Sequence, residues 1–289
     1  MGKDGSNQVE QKYYAMDFAF YSSMGVYHFE DCCEISRAVG YDAMLLSVWD
    51  GRNWAQAEQL ASMKSRFGID PAGVYVVLNL ALGEQDPRNS GILTMLETMP
   101  EGSTVQLAIR SATPHLRPSD PAGDAPVAAW LQLALAIAAA RHIQILLYHH
   151  LSFWVEKFGD AIRLCATLAH PNLGVVFCGY HWYAVEGAGL APLLKQALPY
   201  LQQVNLSGSR RSPLGFGQVA TIEPLDTGEM DNFAVIALLH RLGYTGMLGY
   251  LGWDEGGDPY CKLERSLRAL KAMRAHAERH PRWAHHIDA

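Results

Sequence analysis

The chain has 289 residues, 49% of them hydrophobic and only 18% charged, with a formal net charge of -6 at pH 7. That balance excludes nucleic acid as the main partner, because affinity for a phosphate backbone draws on clustered Lys and Arg. The apolar share is ample for one large core, and the low charge content leaves surface for a homo-oligomeric contact.

In chain order, residues 1–12 (MGKDGSNQVEQK) are polar, carry no basic-then-apolar signal pattern, and are expected to be a mobile lead-in. Strands are expected at 16–21, 42–48, 73–80, 104–109, 142–148, 173–178, 201–206 and 246–251. Several, such as YVVLNL and IQILLY, are continuously apolar, as strands buried on both faces must be. Between them, helical periodicity predicts helices at 29–39, 54–67, 91–99, 125–140, 152–168, 190–198, 231–242 and 260–277. Asn53, Ser152 and Asp231 are the expected start signals for three of these. The most apolar window, 127–140, is shorter than the roughly 20 residues a bilayer requires, so a buried helix is expected and no membrane partner.

Strand followed by helix, eight times and without an internal break, predicts an α/β chain folded as a single (β/α)8 barrel over 13–278, with a short tail at 279–289. A doubly wound sheet is the rival, but GFG at 215–217 lacks the third glycine and the strand–helix setting of a phosphate fingerprint. The five cysteines, Cys32, Cys33, Cys165, Cys178 and Cys261, form no C-x-x-C pair. They are expected as reduced thiols of a cytoplasmic protein.

In such barrels the active face lies at the C-terminal ends of the strands. The polar and aromatic residues expected there are Trp49, Asn79, Arg110, Tyr148, His150, His181, Trp182, Asn205 and Trp253. Hydroxyl-rich ligands need paired donors and acceptors, which Asn, Arg and His supply, and C–H faces of sugars lie well on aromatic rings. His150 and His181 are the expected proton carriers, since imidazole changes charge near neutral pH. His149 is expected to face the other way, because side chains alternate along a strand. Glu223, Asp226, Asp254 and Glu255 are the carboxylates nearest in sequence. Two long loops, 111–124 and 207–228, are expected at the same face as lids or binding loops. The second contains SGSRR (207–211), which reads either as an anion site or as an exposed polar turn.

The segments CCEISRAVGYDAMLLS, LYHHLSFWVEKFGDAIRLCATLAHPNLGVVFCGYHWYAVEG and LDTGEMDNFAVIALLHRLGYTGMLGYLGW, in that order, resemble the xylose isomerase-like barrels of the sugar phosphate isomerase/epimerase group over roughly 16–273. The resemblance implies a divalent metal held by Glu, Asp, His and Glu at the ends of strands five to eight. The corresponding positions here carry Tyr148, Cys178, Asn205 and Leu251, none of them the usual ligand. The histidines of the group's strand-five and strand-six motifs match His150 and His181. Within the group, the chain is similar to barrels associated with oxidised (3-keto) sugars, from which it departs in having His149 for Pro and Cys178 for Asn.

The resemblance and the two histidines together lead to the expectation of an isomerase- or epimerase-like enzyme, or a related lyase. Such an enzyme moves a proton next to the carbonyl of a sugar or keto-sugar. The alternative is a non-catalytic sugar-binding or regulatory barrel that has lost its metal site. No cofactor is expected. The metal reading left open is a softer site built from Cys178, His181 and His150.

Overall fold

Strict alternation of side chains decides the architecture. Along each strand every second residue joins one of two cores. Tyr14, Met16, Ala43, Leu45, Tyr75, Val77, Ala108, Leu146, Tyr148, Val176 and Cys178 belong to an inner cluster. Their neighbours Tyr13, Ala15, Met44, Leu46, Val74, Val76, Leu107, Leu147, Val175, Phe177 and Val204 pack outward with the helices. A sheet apolar on both faces must be covered outside and filled inside, and a closed barrel ringed by helices does both.

The computed structural model describes residues 10–48, 54–111 and 115–283. Trp49, Asn53, most of the 1–12 lead-in and residues 284–289 of the tail lie outside them. Eight strands close a parallel barrel: β1 (Tyr13–Met16), β2 (Ala43–Val48), β3 (Asp70–Asn79), β4 (Thr104–Arg110), β5 (Gln144–Tyr148), β6 (Leu173–Cys178), β7 (Leu201–Leu206) and β9 (Met247–Tyr250). β9 closes the ring by pairing with both β7 and β1. Helices α1 (Phe29–Val39), α2 (Gln56–Phe67), α3 (Pro87–Thr98), α4 (Asp124–Ala140), α5 (Phe158–Leu168), α7 (Leu190–Ala197), α8 (Asn232–Arg241) and α9 (Pro259–Arg279) alternate with the strands. The expected (β/α)8 fold is the observed one.

The segment Pro121–Ala140 is long and apolar enough, by length and composition, to cross a membrane. Here it belongs to the outer ring. Val127, Trp130, Leu131, Ala134, Leu135 and Ala138 form its buried stripe, at the spacing of one helix face, and α4 packs against α3, α5 and β5.

Several boundaries differ from expectation for local reasons. The first strand is 13–16, not 16–21, because the chain turns at Asp17 into a short 3-10 helix, Asp17–Phe20. α3 begins four residues early, where Asp86 accepts the Arg88 N–H ahead of Pro87. α5 begins six residues late: Ser152 has φ +66° and its N–H is held by Glu156 (2.8 Å), so this pair closes a turn instead of opening a helix. Asp160 then caps the true start through the Lys157 N–H (3.0 Å). Two elements have no counterpart in the expected set. α6 (Gly179–Val185) follows β6 directly, and β8 (Arg211–Phe216) folds the 207–228 loop into an antiparallel excursion bridged at Gly208–Glu223 and Arg211–Ala220.

The barrel axis is polar but closed. Gln106 Nε2 donates to Gln203 Oε1 (2.7 Å), Asn205 Nδ2 to Gln106 Oε1 (3.0 Å), and Gln203 Nε2 to the Ala72 carbonyl (2.8 Å). Tyr14 donates its phenol to Asn205 Oδ1. Buried amides persist only when partnered in this way. Gly249 makes room for it: a Cβ there would sit inside the Tyr14 ring.

Candidate active site

The loop after β5 brings two imidazoles together. The chain folds back between His150 and Val155: the His150 N–H donates to the Val155 carbonyl and the Phe153 N–H to the His150 carbonyl, both at 2.9 Å. That turn lays the Phe153 ring on the His150 ring, with centroids 3.8 Å apart and planes 26° apart. From the adjacent strand end, α6 supplies His181, whose ring centroid is 4.0 Å from that of His150.

Leu151 sets how each ring carries its proton. His150 Nδ1–H donates to the Leu151 carbonyl (2.8 Å), while the Leu151 N–H donates to His181 Nδ1 (3.2 Å). A carbonyl can only accept and an amide N–H can only donate, so the two rings hold opposite tautomers. His150 keeps a bare lone pair at Nε2; His181 keeps a proton there. Neither Nε2 has a hydrogen-bond partner among the described residues, and both rings line one cavity. Burial pushes His150 down to about 4. Burial first, then the neighbouring His150 and His149, hold His181 well below the ordinary imidazole value. Both rings are neutral at pH 7.

The cavity holds about 170 Å³ and is bounded by Phe18, Tyr75, Tyr148, His150, Phe153, His181, Phe216, Ile222, Leu251 and Trp253. Its wall is an almost continuous aromatic arc. Trp253 meets Phe18 at 5.5 Å, Phe18 meets Tyr75 at 5.4 Å, Tyr75 meets Tyr148 at 5.1 Å, and Tyr148 meets His181 at 5.5 Å.

Of the nine residues expected at the mouth, four line this cavity: Tyr148, His150, His181 and Trp253. Trp49 lies outside the described residues. Asn79 is spent locally, its Oδ1 accepting the Ala81 N–H (3.1 Å) and its backbone exchanging hydrogen bonds with the Asn89 side chain. Arg110 ends β4 outside the lining. Asn205 belongs to the axial amide network. Trp182 packs in the outer core near Phe177, because consecutive residues of α6 point about 100° apart, so His181 and Trp182 cannot face the same cavity. His149 turns outward against Phe158 and Phe177, its Nε2 accepting the Cys178 N–H (3.0 Å).

None of the four carboxylates nearest in sequence lines the cavity. Glu223 pairs with Arg210 (2.6 Å) and Asp226 with Arg265 (2.8 Å). Glu255 accepts the Tyr250 phenol (2.6 Å), and burial raises it to about 7. Arg211 donates to the carbonyls of Ala184 (2.8 Å) and Tyr183 (2.6 Å). Both guanidinium groups of SGSRR are therefore engaged within the fold, which favours the polar-turn reading of that loop over the anion site. The loop serves the site differently, by supplying Phe216 and Ile222 to the wall. The described residues of 111–124 instead pack against Trp154: its indole N–H donates to the Asp120 carbonyl (2.9 Å), and its own carbonyl accepts the Ser119 N–H (2.9 Å).

One carboxylate beside the cavity is not signalled by the sequence. Asp17 is buried next to Phe18, and its Oδ2 accepts the Ser47 N–H (2.9 Å) and the Tyr21 phenol (2.7 Å). Burial raises it to about 6. A strand over 16–21 gives no reason to single it out.

The metal implied by the resemblance can be tested on the donor set. Tyr148 donates its phenol to Cys178 Sγ (3.1 Å), and burial pushes the Cys178 thiol up to about 11. Asn205 is consumed at both ends of its amide, and Leu251 has no donor atom. Among the described residues no three His, Cys, Asp or Glu side chains converge as a metal site would require. The softer set of Cys178, His181 and His150 does not converge either. These residues do not fit a hard divalent cation, which needs several charged oxygens.

The family model for xylose isomerase-like TIM barrels matches residues 33–273, and the chain belongs to that family. No curated protein sequence matches it. Among solved structures it is similar to 3-keto-D-glucoside 4-epimerase YcjR from E. coli, with TM-score 0.69 and 16% identity over 91% of this chain and 100% of that one. It is also similar to D-allulose 3-epimerase from Methylomonas sp., solved with D-allulose (TM-score 0.66, 16% identity, 91% and 97% covered). A third is a xylose isomerase-like TIM barrel protein from Mycobacterium smegmatis, solved with magnesium (TM-score 0.65, 15% identity, 92% and 97% covered). At such identities the likeness speaks for the fold.

Proposed function

We propose that the chain is an isomerase- or epimerase-like enzyme that moves a proton next to the carbonyl of a sugar or keto-sugar, without a divalent metal. The observation that carries this reading is the pair of opposite tautomers fixed by Leu151. His150 Nε2 takes the proton from the carbon beside the carbonyl. The C–H electron pair becomes the C=C bond of an enol, and charge develops on the carbonyl oxygen. His181 Nε2–H donates a hydrogen bond to that oxygen, the part a metal plays in other sites. Delivery of the proton from His150 to the former carbonyl carbon, while the hydroxyl proton on the neighbouring carbon passes to the former carbonyl oxygen, completes an isomerisation. Delivery to the opposite face of the original carbon, after the enol turns over in the cavity, completes an epimerisation. A neutral imidazole can act in either role.

The missing carboxylates favour one other reading, a sugar-binding barrel without catalysis. Incubating the purified protein with a panel of ketoses and keto-glycosides in deuterated buffer containing a chelator separates the two. Loss of the α-proton NMR signal of one panel member supports the enzyme. Thermal stabilisation by sugars without exchange from any of them, with or without added metal, supports the binder.

A further inference from the structure

The cavity is strongly selective in its chemistry. Among the described residues no charged side chain lines it. Beyond the two imidazoles its lining side chains carry three polar groups, the phenols of Tyr75 and Tyr148 and the indole N–H of Trp253, and the Tyr148 phenol already donates to Cys178. The outer wall is Phe153, Phe216, Ile222 and Trp253. Leu214, in the same excursion as Phe216, is 94% exposed and extends the apolar surface outward.

A hydroxyl buried without a partner costs roughly 5- to 150-fold in affinity, and an unpaired phosphate costs far more. The two Nε2 atoms can satisfy a carbonyl and one further group. They cannot satisfy the hydroxyls of a whole hexose, nor a phosphate, and Arg210 and Arg211 of the 207–228 loop are bound elsewhere.

From this we infer that the site takes an uncharged carbonyl compound carrying an apolar alkyl or aryl group, which packs on the Phe153–Phe216–Ile222–Trp253 wall, and that it rejects phosphorylated sugars. This rests on the proton-transfer reading for the position of the carbonyl but not for the apolar group. The aromatic arc presents ring faces and edges to C–H and aryl surfaces, which gain from burial there.

The test is calorimetric binding of three ketones, phenoxyacetone, methoxyacetone and dihydroxyacetone phosphate, to the full chain. Phenoxyacetone is expected to bind at least tenfold tighter than methoxyacetone, with no heat from dihydroxyacetone phosphate. Ile222→Ser, at a half-buried wall position, is expected to cut the phenyl preference at least threefold while the thermal midpoint stays within a few degrees. If Ile222→Ser fails to fold, the Trp253→Phe variant replaces it, with phenoxyacetone expected to change the tryptophan fluorescence of the wild type and not that of the variant. Equal or tighter binding of the methyl or phosphorylated ketone, or no binding of any of the three at millimolar concentration, overturns the inference. The two readings fail separately. A phenyl preference without proton exchange in any ketone sinks the chemistry alone, and exchange in a phosphorylated ketose sinks the substrate class alone.

Discussion

His150 and His181 are held in opposite protonation patterns by the two ends of one residue, Leu151, whose carbonyl takes the proton of one ring and whose amide gives a proton to the other. The first consequence is functional asymmetry. His150→Gln removes the base and is expected to lower proton exchange by about 10²- to 10⁴-fold. His181→Gln keeps a base but loses the imidazole donor, with an expected loss of about 10²- to 10³-fold. Both are measured in chelator, which should leave the wild-type rate unchanged. More than a tenth of the wild-type rate in His150→Gln would contradict the assignment.

Acid should reveal the same groups. The folded-state value of His150 is depressed from 6.5 to about 4, so the unfolded chain takes up a proton that the folded chain refuses. Its contribution is present above about pH 6.5 and is lost as pH falls towards 4, on the order of 3 kcal/mol. Asp17 and Glu255, raised to about 6 and about 7, act in the opposite direction and are shared by variant and wild type. His150→Gln should therefore lose less stability than the wild type between pH 6.5 and 4, as read from urea unfolding at each pH. Parallel curves would show that His150 is not buried neutral.

Gly249 supports the site from below. Gly249→Ala drives a methyl into the Tyr14 ring, and Tyr14 is tied to Asn205. Overpacking of this kind costs about 1–3 kcal/mol, and here it also breaks a buried hydrogen bond. The thermal midpoint should fall by several degrees, whereas an unchanged midpoint would mean that the axial network is slack.

Arg210 and Arg211 should part company. Arg210 forms an exposed pair with Glu223, so Arg210→Ala should change stability by less than about 1 kcal/mol. Arg211 fastens the excursion carrying Phe216 to the carbonyls that end α6. Arg211→Ala should cost about 1–3 kcal/mol and weaken ligand binding. Phosphate binding that disappears in either variant would revive the anion site.

The barrel is legible in the sequence because its strands and ring helices carry strong periods: YVVLNL, IQILLY and LGVVF read as doubly buried, and CCEISRAV as one-sided. His150 is legible for the same reason, since the alternation of β5 carries on past Tyr148 and separates His149 from His150. What alternation cannot convey is where a strand stops. Asp17 is hidden inside an expected strand, and the helix that begins at Gly179 turns Trp182 away from the cavity that His181 lines. Asn79 and Asn205 look like ligand groups because nothing local reveals that Asn89, Tyr14 and Gln106 claim them. Phe216 and Ile222 lie in a segment without a period of its own, so the wall they build emerges only with the fold.

Nitrogen-15 NMR of histidine-labelled protein at pH 7 tests the central relationship most directly. Two neutral rings of opposite type are expected, His150 protonated at Nδ1 and His181 at Nε2, assigned by loss of each signal in His150→Gln and His181→Gln. Two rings of the same tautomer, or either ring charged at neutral pH, would contradict the pairing through Leu151.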